Sequence, residues 1–355
     1  MRKDITKKFL MRENRFLNRM TSLSISNFVS KKSKSRLEKN KAFQLDYDLI
    51  EFANMLNVSK NGCLNTQNDV VVSGFKQENY ILKNGKYTQF NMLFCGIGSF
   101  TMGHESITDN QPKFELILNP FLLGEVEITQ ELYELVMGKN PSWFNDRNTM
   151  FSQYRQLMNK SKMGDTSKHP IESVSWYDAI EFCNELSKLQ GLQECYTITN
   201  PTTKNEDGLE QNRIMFAQVD WDINANGYRL PTDIEWEYAA KANTNNQFAG
   251  TDDDGDYLEE YAWFDKNSND QTHPVAPKKP NEWGFYDMCG NVNEWCWDES
   301  TTRHIASKDA NYHRSYLGGS WDYEICDLSI VHRHKNLLNL RKNIIGIRVC
   351  RSIIL

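Results

Sequence analysis

The apolar positions of this chain fall into a few helical stripes set in a long body of aromatic-rich blocks broken by Asn, Asp, Gly and Pro. Behind Glu127-Ile-Thr-Gln, the residues Leu132, Leu135 and Val136 share one helical face. Thr129 is placed to cap that helix and Gly138 to end it. A second stripe runs through Trp176, Ile180, Cys183, Leu186 and Leu189, opened by Ser175 and stopped by Gly191. A third helix is predicted within Leu230-Pro-Thr-Asp-Ile-Glu-Trp-Glu-Tyr-Ala-Ala-Lys241, where Thr232 and Glu235 form a capping box, each satisfying a backbone N–H that the first turn leaves free. Fainter helical rhythm runs from Phe9 to Met20, and through Leu45, Leu49, Phe52 and Leu56. Strands are read at Asp69-Val-Val-Val-Ser-Gly and at Tyr80-Ile-Leu-Lys-Asn-Gly-Lys-Tyr, with Asn84-Gly85 as a hairpin turn.

Composition changes this picture in two respects. At 355 residues the chain has room for one large domain or two modest ones, and its 39% apolar and 12% aromatic content suits a loop-rich fold with an aromatic core. Charge is unevenly spread. Residues 1–41 hold thirteen Lys/Arg against three Asp/Glu, or +10, so with −6 overall residues 42–355 carry −16. An acidic body of that size excludes nucleic-acid binding by the main domain, and the basic arm is expected to be disordered. No apolar run reaches the ~18–20 residues of a membrane helix, and the first residues lack the continuous apolar core of a secretory signal. A cytoplasmic protein is expected. None of the eight cysteines forms a C-x-x-C pair, so they are read as reduced and mostly buried.

Familiar catalytic patterns are missing. There is no phosphate-binding Gly-rich loop and no serine-nucleophile elbow. Glu235 and Glu237 stand two apart on a helix, so they do not share a face and are read as structural. His332 and His334 would share one face of a strand and suit Zn or Ni, but no third ligand is evident from spacing.

Several blocks in order carry a family resemblance. They are Gly98-Ser-Phe-Thr-Met-Gly103, Val126-Glu-Ile-Thr129, His169-Pro-Ile-Glu-Ser-Val-Ser-Trp176, Gly227-Tyr-Arg-Leu-Pro-Thr-Asp-Ile-Glu-Trp-Glu-Tyr-Ala-Ala240, Asn281-Glu-Trp-Gly-Phe-Tyr-Asp-Met-Cys-Gly-Asn-Val-Asn-Glu-Trp295, Gly318-Gly-Ser-Trp321 and Gly346-Ile-Arg348. From about residue 91 onward the chain closely resembles the formylglycine-generating-enzyme, or sulfatase-modifying factor, domain. The resemblance implies an α+β, C-type-lectin-like fold: an irregular, loop-rich domain with a small antiparallel sheet core and a few helices. The expected organisation is a basic arm (1–41), a small leading region of helix and hairpin (42–90) and the family domain (91–355). Members of the family include copper oxidases that make formylglycine, iron-dependent sulfoxide synthases, accessory modules of protein kinases, and variable ligand-binding proteins diversified by retroelements.

The copper enzymes use a C-x4-C pair whose first cysteine lies three residues after the Gly-Gly-Ser turn, two soft thiolates suited to Cu(I). Those positions here hold Tyr323 and Leu328, with Cys326 between them and Asp327 opposing any lowering of its pKa. The iron branch's H-x3-H-x-E pattern is absent from the seven histidines. Copper and iron are therefore not expected. Calcium is, on a family site carried over to Asp287, Gly290, Val292 and Glu294, although Asn293 stands where most members have Trp. The C-terminal frame Arg333, Arg341, Gly346 and Arg348 is kept. By resemblance to the diversified branch, Trp321, Asp322, Tyr323, Asp327, Ile330, His332, His334, Asn336 and Asn339 face a ligand, with a protein or peptide favoured. Leu337, Leu338 and Leu340 read equally as core or as ligand-facing. The expectation is a non-catalytic binding or accessory protein; the alternative is a diverged formylglycine-generating or non-haem iron oxidoreductase.

Overall fold

The computed structural model describes residues 73, 76–103, 115–158, 160–161, 163–204, 213–252, 257–299 and 313–353. The expected arm, the helical rhythms before residue 58 and the strand read at 69–74, apart from Ser73, lie outside the described residues. The fold opens on a hairpin, β1 (Lys76–Lys83) and β2 (Lys86–Cys95), paired antiparallel. Its turn residues Asn84 and Gly85 have φ of 53° and 76°, the left-handed values that a tight hairpin demands. β1 alternates exposed and buried side chains, whereas β2 is continuously buried from Met92 to Cys95. A ribbon of β3 (Gly98–Thr101) and β4 (Glu115–Leu118) follows, then β5 (Phe121–Gly124), which pairs with β2 and explains that burial. β2 thus crosses the boundary expected between residues 90 and 91. The hairpin belongs to the main sheet, because the apolar half of β2 is core.

The helices follow their capping signals. In α1 (Gln130–Met137) the Thr129 side chain accepts from the Leu132 N–H, and Gly138 closes the helix at φ 77°. Leu132 and Val136 are buried as expected and Tyr133 joins them, while Leu135 is only half-buried. The next helix, α2 (Thr149–Leu157), was not expected. Phe151 is its one buried apolar side chain, and Met150, Tyr154 and Leu157 are exposed, so it has no inward stripe to recognise. α3 (Trp176–Leu189) begins with a reciprocal capping box between Ser175 and Asp178. Most of it is buried; Glu181 and Glu185 are half-buried, and Lys188 and Leu189 at its end are exposed, Leu189 at 37%. After a second ribbon, β6 (Tyr196–Lys204) with β7 (Arg213–Trp221), and the short β8 (Tyr228–Arg229), α4 (Asp233–Lys241) starts on the Thr232/Glu235 box.

The remaining chain supplies β9 (Asn293–Glu299), β10 (His313–Leu317), β11 (His334–Leu337), β12 (Ile345–Gly346) and β13 (Cys350–Ser352). One sheet runs β1-β2-β5-β13-β8, antiparallel throughout; the other runs β11-β10-β9-β12, with only β12 parallel to its neighbour. Small antiparallel sheets, short helices and much irregular chain make an α+β fold of the expected kind.

The C-terminal frame is explained by ion pairs. Arg333 reaches Asp233 (2.8 Å) and Glu237 (2.6 Å) on α4; Arg341 grips Asp178 in the first turn of α3 (2.6 Å); Arg348 pairs with Glu294 on β9 (2.7 Å). Gly346 is glycine for lack of space, since a Cβ there would lie 2.4 Å from the Ile171 carbonyl oxygen. Glu235 and Glu237 are structural as read: Glu235 pairs with Arg229 at 2.7 Å, and Glu237 with Arg333 and Lys241.

Two measurements check these energetics. Arg348→Ala strands a fully buried carboxylate, so the denaturation midpoint should fall by the equivalent of about 3–5 kcal/mol. Glu172 is fully buried, and burial lifts its carboxyl to about 7 against hydrogen bonds from Ser173 and the Phe144 N–H. Its folded pKa is raised, so its stabilising effect is intact below about 4.5 and is lost as pH rises to about 7, by at most about 1.4 kcal/mol per pH unit. Glu172→Gln should remove that component of the pH slope; an unchanged slope would show that Glu172 is ionised throughout.

Candidate functional site

The Gly318-Gly319-Ser320 turn is built by backbone geometry. Gly318 and Gly319 have φ of 100° and 73°, and a Cβ at Gly319 would sit 2.5 Å from the Leu328 Cδ2. The Gly319 N–H donates to the Asn293 Oδ1 (3.0 Å), and the Asn293 amide donates to the Ile344 carbonyl (3.2 Å). Asn293 therefore braces the turn from the position where Trp was expected.

Beyond the turn, a 3-10 helix (Ile325–Leu328) holds Leu328, the second of the family's copper positions, while Tyr323, the first, precedes it. Leu328 is fully buried, and Tyr323 packs half-buried against the core. Neither supplies sulfur. Cys326 is exposed, and desolvation together with the carboxylates of Asp327 and Glu324 raises its pKa, which keeps it a thiol at neutral pH. The other six described cysteines are buried and free.

Of the nine residues expected to face a ligand, the structure gathers four. The His334 ring stacks on Tyr316 (5.4 Å) and on His332 (4.3 Å), and takes the edge of Tyr323 (5.0 Å). Asp327 Oδ1 lies 3.4 Å from His332 Nδ1, each side chain being 38% exposed. Burial, with His332 beside it, pushes the His334 pKa down to about 4, so this imidazole is neutral near pH 7. Asp322 is exposed, its carboxyl raised by desolvation and by Asp270 and Asp265.

The others divide differently. Trp321 is an anchor: its indole N–H donates to the Asn343 carbonyl (2.9 Å) and its ring meets Phe144 edge-on at 5.1 Å. Asn339 reaches the Met215 carbonyl on β7, and Asn336 accepts from the Leu337 N–H. Ile330 corrects the expectation outright. It has no exposed surface, because the turn from Ser329 to His332 directs it into the core. Leu338 is buried, Leu340 is half-buried and Leu337 is 44% exposed, so Leu337 is the most exposed of the three. Asp327 beside the two histidines is the third donor that spacing alone did not reveal. The turn in which the His332 N–H donates to the Ser329 carbonyl folds the chain back toward it.

The expected calcium ligands lie together but are otherwise engaged. Both Glu294 carboxylate oxygens accept from Arg348, at 2.7–2.9 Å, and one also accepts the Trp236 indole N–H at 2.5 Å. Asp287 Oδ2 accepts from the Ala276 N–H, and only its buried Oδ1 is unpartnered. Beside them, Glu127 accepts from Asn291 and from the Val292 N–H. Burial and the neighbouring carboxylates hold Glu127 well above the usual carboxylate range, and burial lifts Asp287 to about 6. With no ion bound, a guanidinium and retained protons balance this nest. The described surface also has two clefts of about 320 Å³ near α2, one lined by Arg155, Asp165, His169 and His273, the other by Arg147, Phe151, Arg155 and Met163; none of the nine expected residues lines either.

Residues 78–353 match the family described as Sulfatase-modifying factor enzyme 1-like domain. The chain is similar to "Chaperone protein LppX" of Paenibacillus barcinonensis, 33% identical over 72% of this chain and 87% of that protein. Similarity to "Serine/threonine-protein kinase pkn1" of Chlamydia caviae is 23% over 74% of this chain, which spans only 38% of the kinase. Among solved structures it is similar to "Treponema denticola variable protein 1", at TM-score 0.63 and 32% identity over 77% of this chain and 98% of that one. CarF shares the fold at TM-score 0.52 and 23% identity, over 74% of this chain and 98% of that one. No helix among the described residues is long and apolar enough to cross a membrane.

With Arg348 holding both Glu294 oxygens, added calcium should leave the melting temperature of the metal-free protein unchanged. Occupancy of a site in the folded state at 100 times its Kd would stabilise by about 2.7 kcal/mol, so a clear upward shift would show that the folded protein binds calcium.

Proposed function

The chain belongs to the sulfatase-modifying factor enzyme 1-like domain family, and from that premise we propose that it acts as a binding or accessory protein without copper chemistry. Its ligand is a protein or peptide held on the face around Asp322, Tyr323, Asp327, His332 and His334. The observation that carries this reading is the pair of replaced copper positions. Leu328 is core and Tyr323 is an aromatic shelf, while the one cysteine nearby is a protonated thiol flanked by carboxylates.

Further support comes from composition and mounting. Half-exposed Tyr, His and Asp side chains combine flat contact area with hydrogen bonding, and tyrosine is enriched where one surface meets another. The face sits between Gly319, wedged on Leu328, and Arg341, tied to α3, so ligand contacts do not have to order it. A relative named as a chaperone and a structural neighbour named as a variable protein are in keeping with accessory and surface-variable roles. Free, buried cysteines suit a reducing compartment such as the cytoplasm.

Two experiments test this. Reduced protein titrated with Cu(I) and assayed on a Cys-x-Pro-x-Arg peptide should give no formylglycine; conversion of the cysteine would establish an oxidoreductase instead. Peptides selected from a random library against the wild-type protein in EDTA should bind the Asp322→Ala, Tyr323→Ala double variant about tenfold more weakly or worse, a loss of ~1.4 kcal/mol. Equal binding to a folded double variant would move the ligand surface elsewhere.

A further inference from the structure

We propose that Asp327, His332 and His334 form a binding site for a divalent first-row transition ion of the Zn2+ class. One ligand atom from each residue lies within 4.8 Å of the other two. Two imidazoles and a carboxylate are a borderline nitrogen and oxygen donor set, too soft for calcium and lacking the sulfur that favours Cu(I).

The surroundings hold these donors in position. Leu328 locks the end of the 3-10 helix into the core and so fixes Asp327 beside it. The turn from Ser329 to His332 returns the chain, and β11 pairs with β10 so that His334 lies opposite Tyr316. Tyr316 against one face and Tyr323 at an edge leave the His334 ring little rotational freedom. Its Nε2 is buried with no hydrogen-bond partner, which is costly for an imidazole nitrogen and is relieved by coordination. His332 stands two residues before His334 and stacks on its ring at 4.3 Å.

Zn–N bonds of about 2.0–2.1 Å place tetrahedral donors roughly 3.4 Å apart. His332 Nδ1 and Asp327 Oδ1 already stand at 3.4 Å, and the ligand nitrogen of His334 lies within 4.8 Å of the other two donors. Three protein donors leave a fourth position for water or for a ligand's own donor group. Because Asp327 and His332 are 38% exposed, an ion reaches the site from solvent.

The test uses the full chain, stripped with EDTA, exchanged into metal-free buffer and titrated calorimetrically with ZnCl2, with Co2+ absorption as a second readout of ligand geometry. The wild type should bind one Zn2+ with micromolar Kd and give a cobalt spectrum with d–d bands. Asp327→Asn and His332→Ala, both at half-exposed positions and checked by circular dichroism, should each weaken binding by about tenfold or more. Undiminished affinity in either folded variant, or no binding by the wild type, would overturn the site. The titration needs no peptide and the library selection is run in EDTA, so this assignment and the ligand-face reading fail separately.

Discussion

Arg348 and Glu294 make the contact on which the rest of this fold depends. Neither has exposed surface, and burying two charges is tolerable only when every polar atom is satisfied. Here they are: the guanidinium spans both Glu294 oxygens and donates to the carbonyls of Gly124 and Tyr286, while Trp236 completes the carboxylate. Gly124 belongs to the five-stranded sheet, Glu294 to the four-stranded one and Trp236 to α4. One side chain therefore fixes the distance between three elements that share few backbone contacts.

The same device recurs wherever irregular chain must be held. Arg333 is tied to α4, Arg341 to the capped start of α3, and Arg229 to Glu235 within the other capping box. Arginine suits this role because its planar fork satisfies a carboxylate bidentately. Residues 321–340 are thereby supported from below and at their ends, and their outward side chains contribute little to holding the frame. A surface of that kind can change its chemistry with little change in stability, which is what a binding face needs and a metal-oxidase centre does not.

Much of the architecture was legible because its signals are local. Thr129, Ser175 and Thr232 announce helix starts through hydrogen bonds made within four residues, and Asn84-Gly85 announces a hairpin through its own φ values. What escaped was set by distant partners. α2 has no apolar stripe because its outer side chains are exposed, and Ile330 counted as surface until its burial was visible. Asn293 looked like a lost tryptophan until the Gly319 N–H was seen to need an acceptor. Glu294 and Arg348 stand 54 residues apart, and no periodicity joins them. Asp327 is five residues from His332, near enough to notice, but only the turn at Ser329 brings the two together.

The placement of β13 has one more consequence. This strand, formed by residues 350–352, lies between β5 and β8, which are made more than a hundred residues earlier. While the ribosome is still adding those residues, β5 and β8 present unpaired edges to the cell, and Arg348 has not arrived to neutralise Glu294. The domain is therefore committed to finishing its fold after synthesis of that stretch rather than during it. Until then it is a natural client for whatever protects open sheet edges from pairing with the wrong strand.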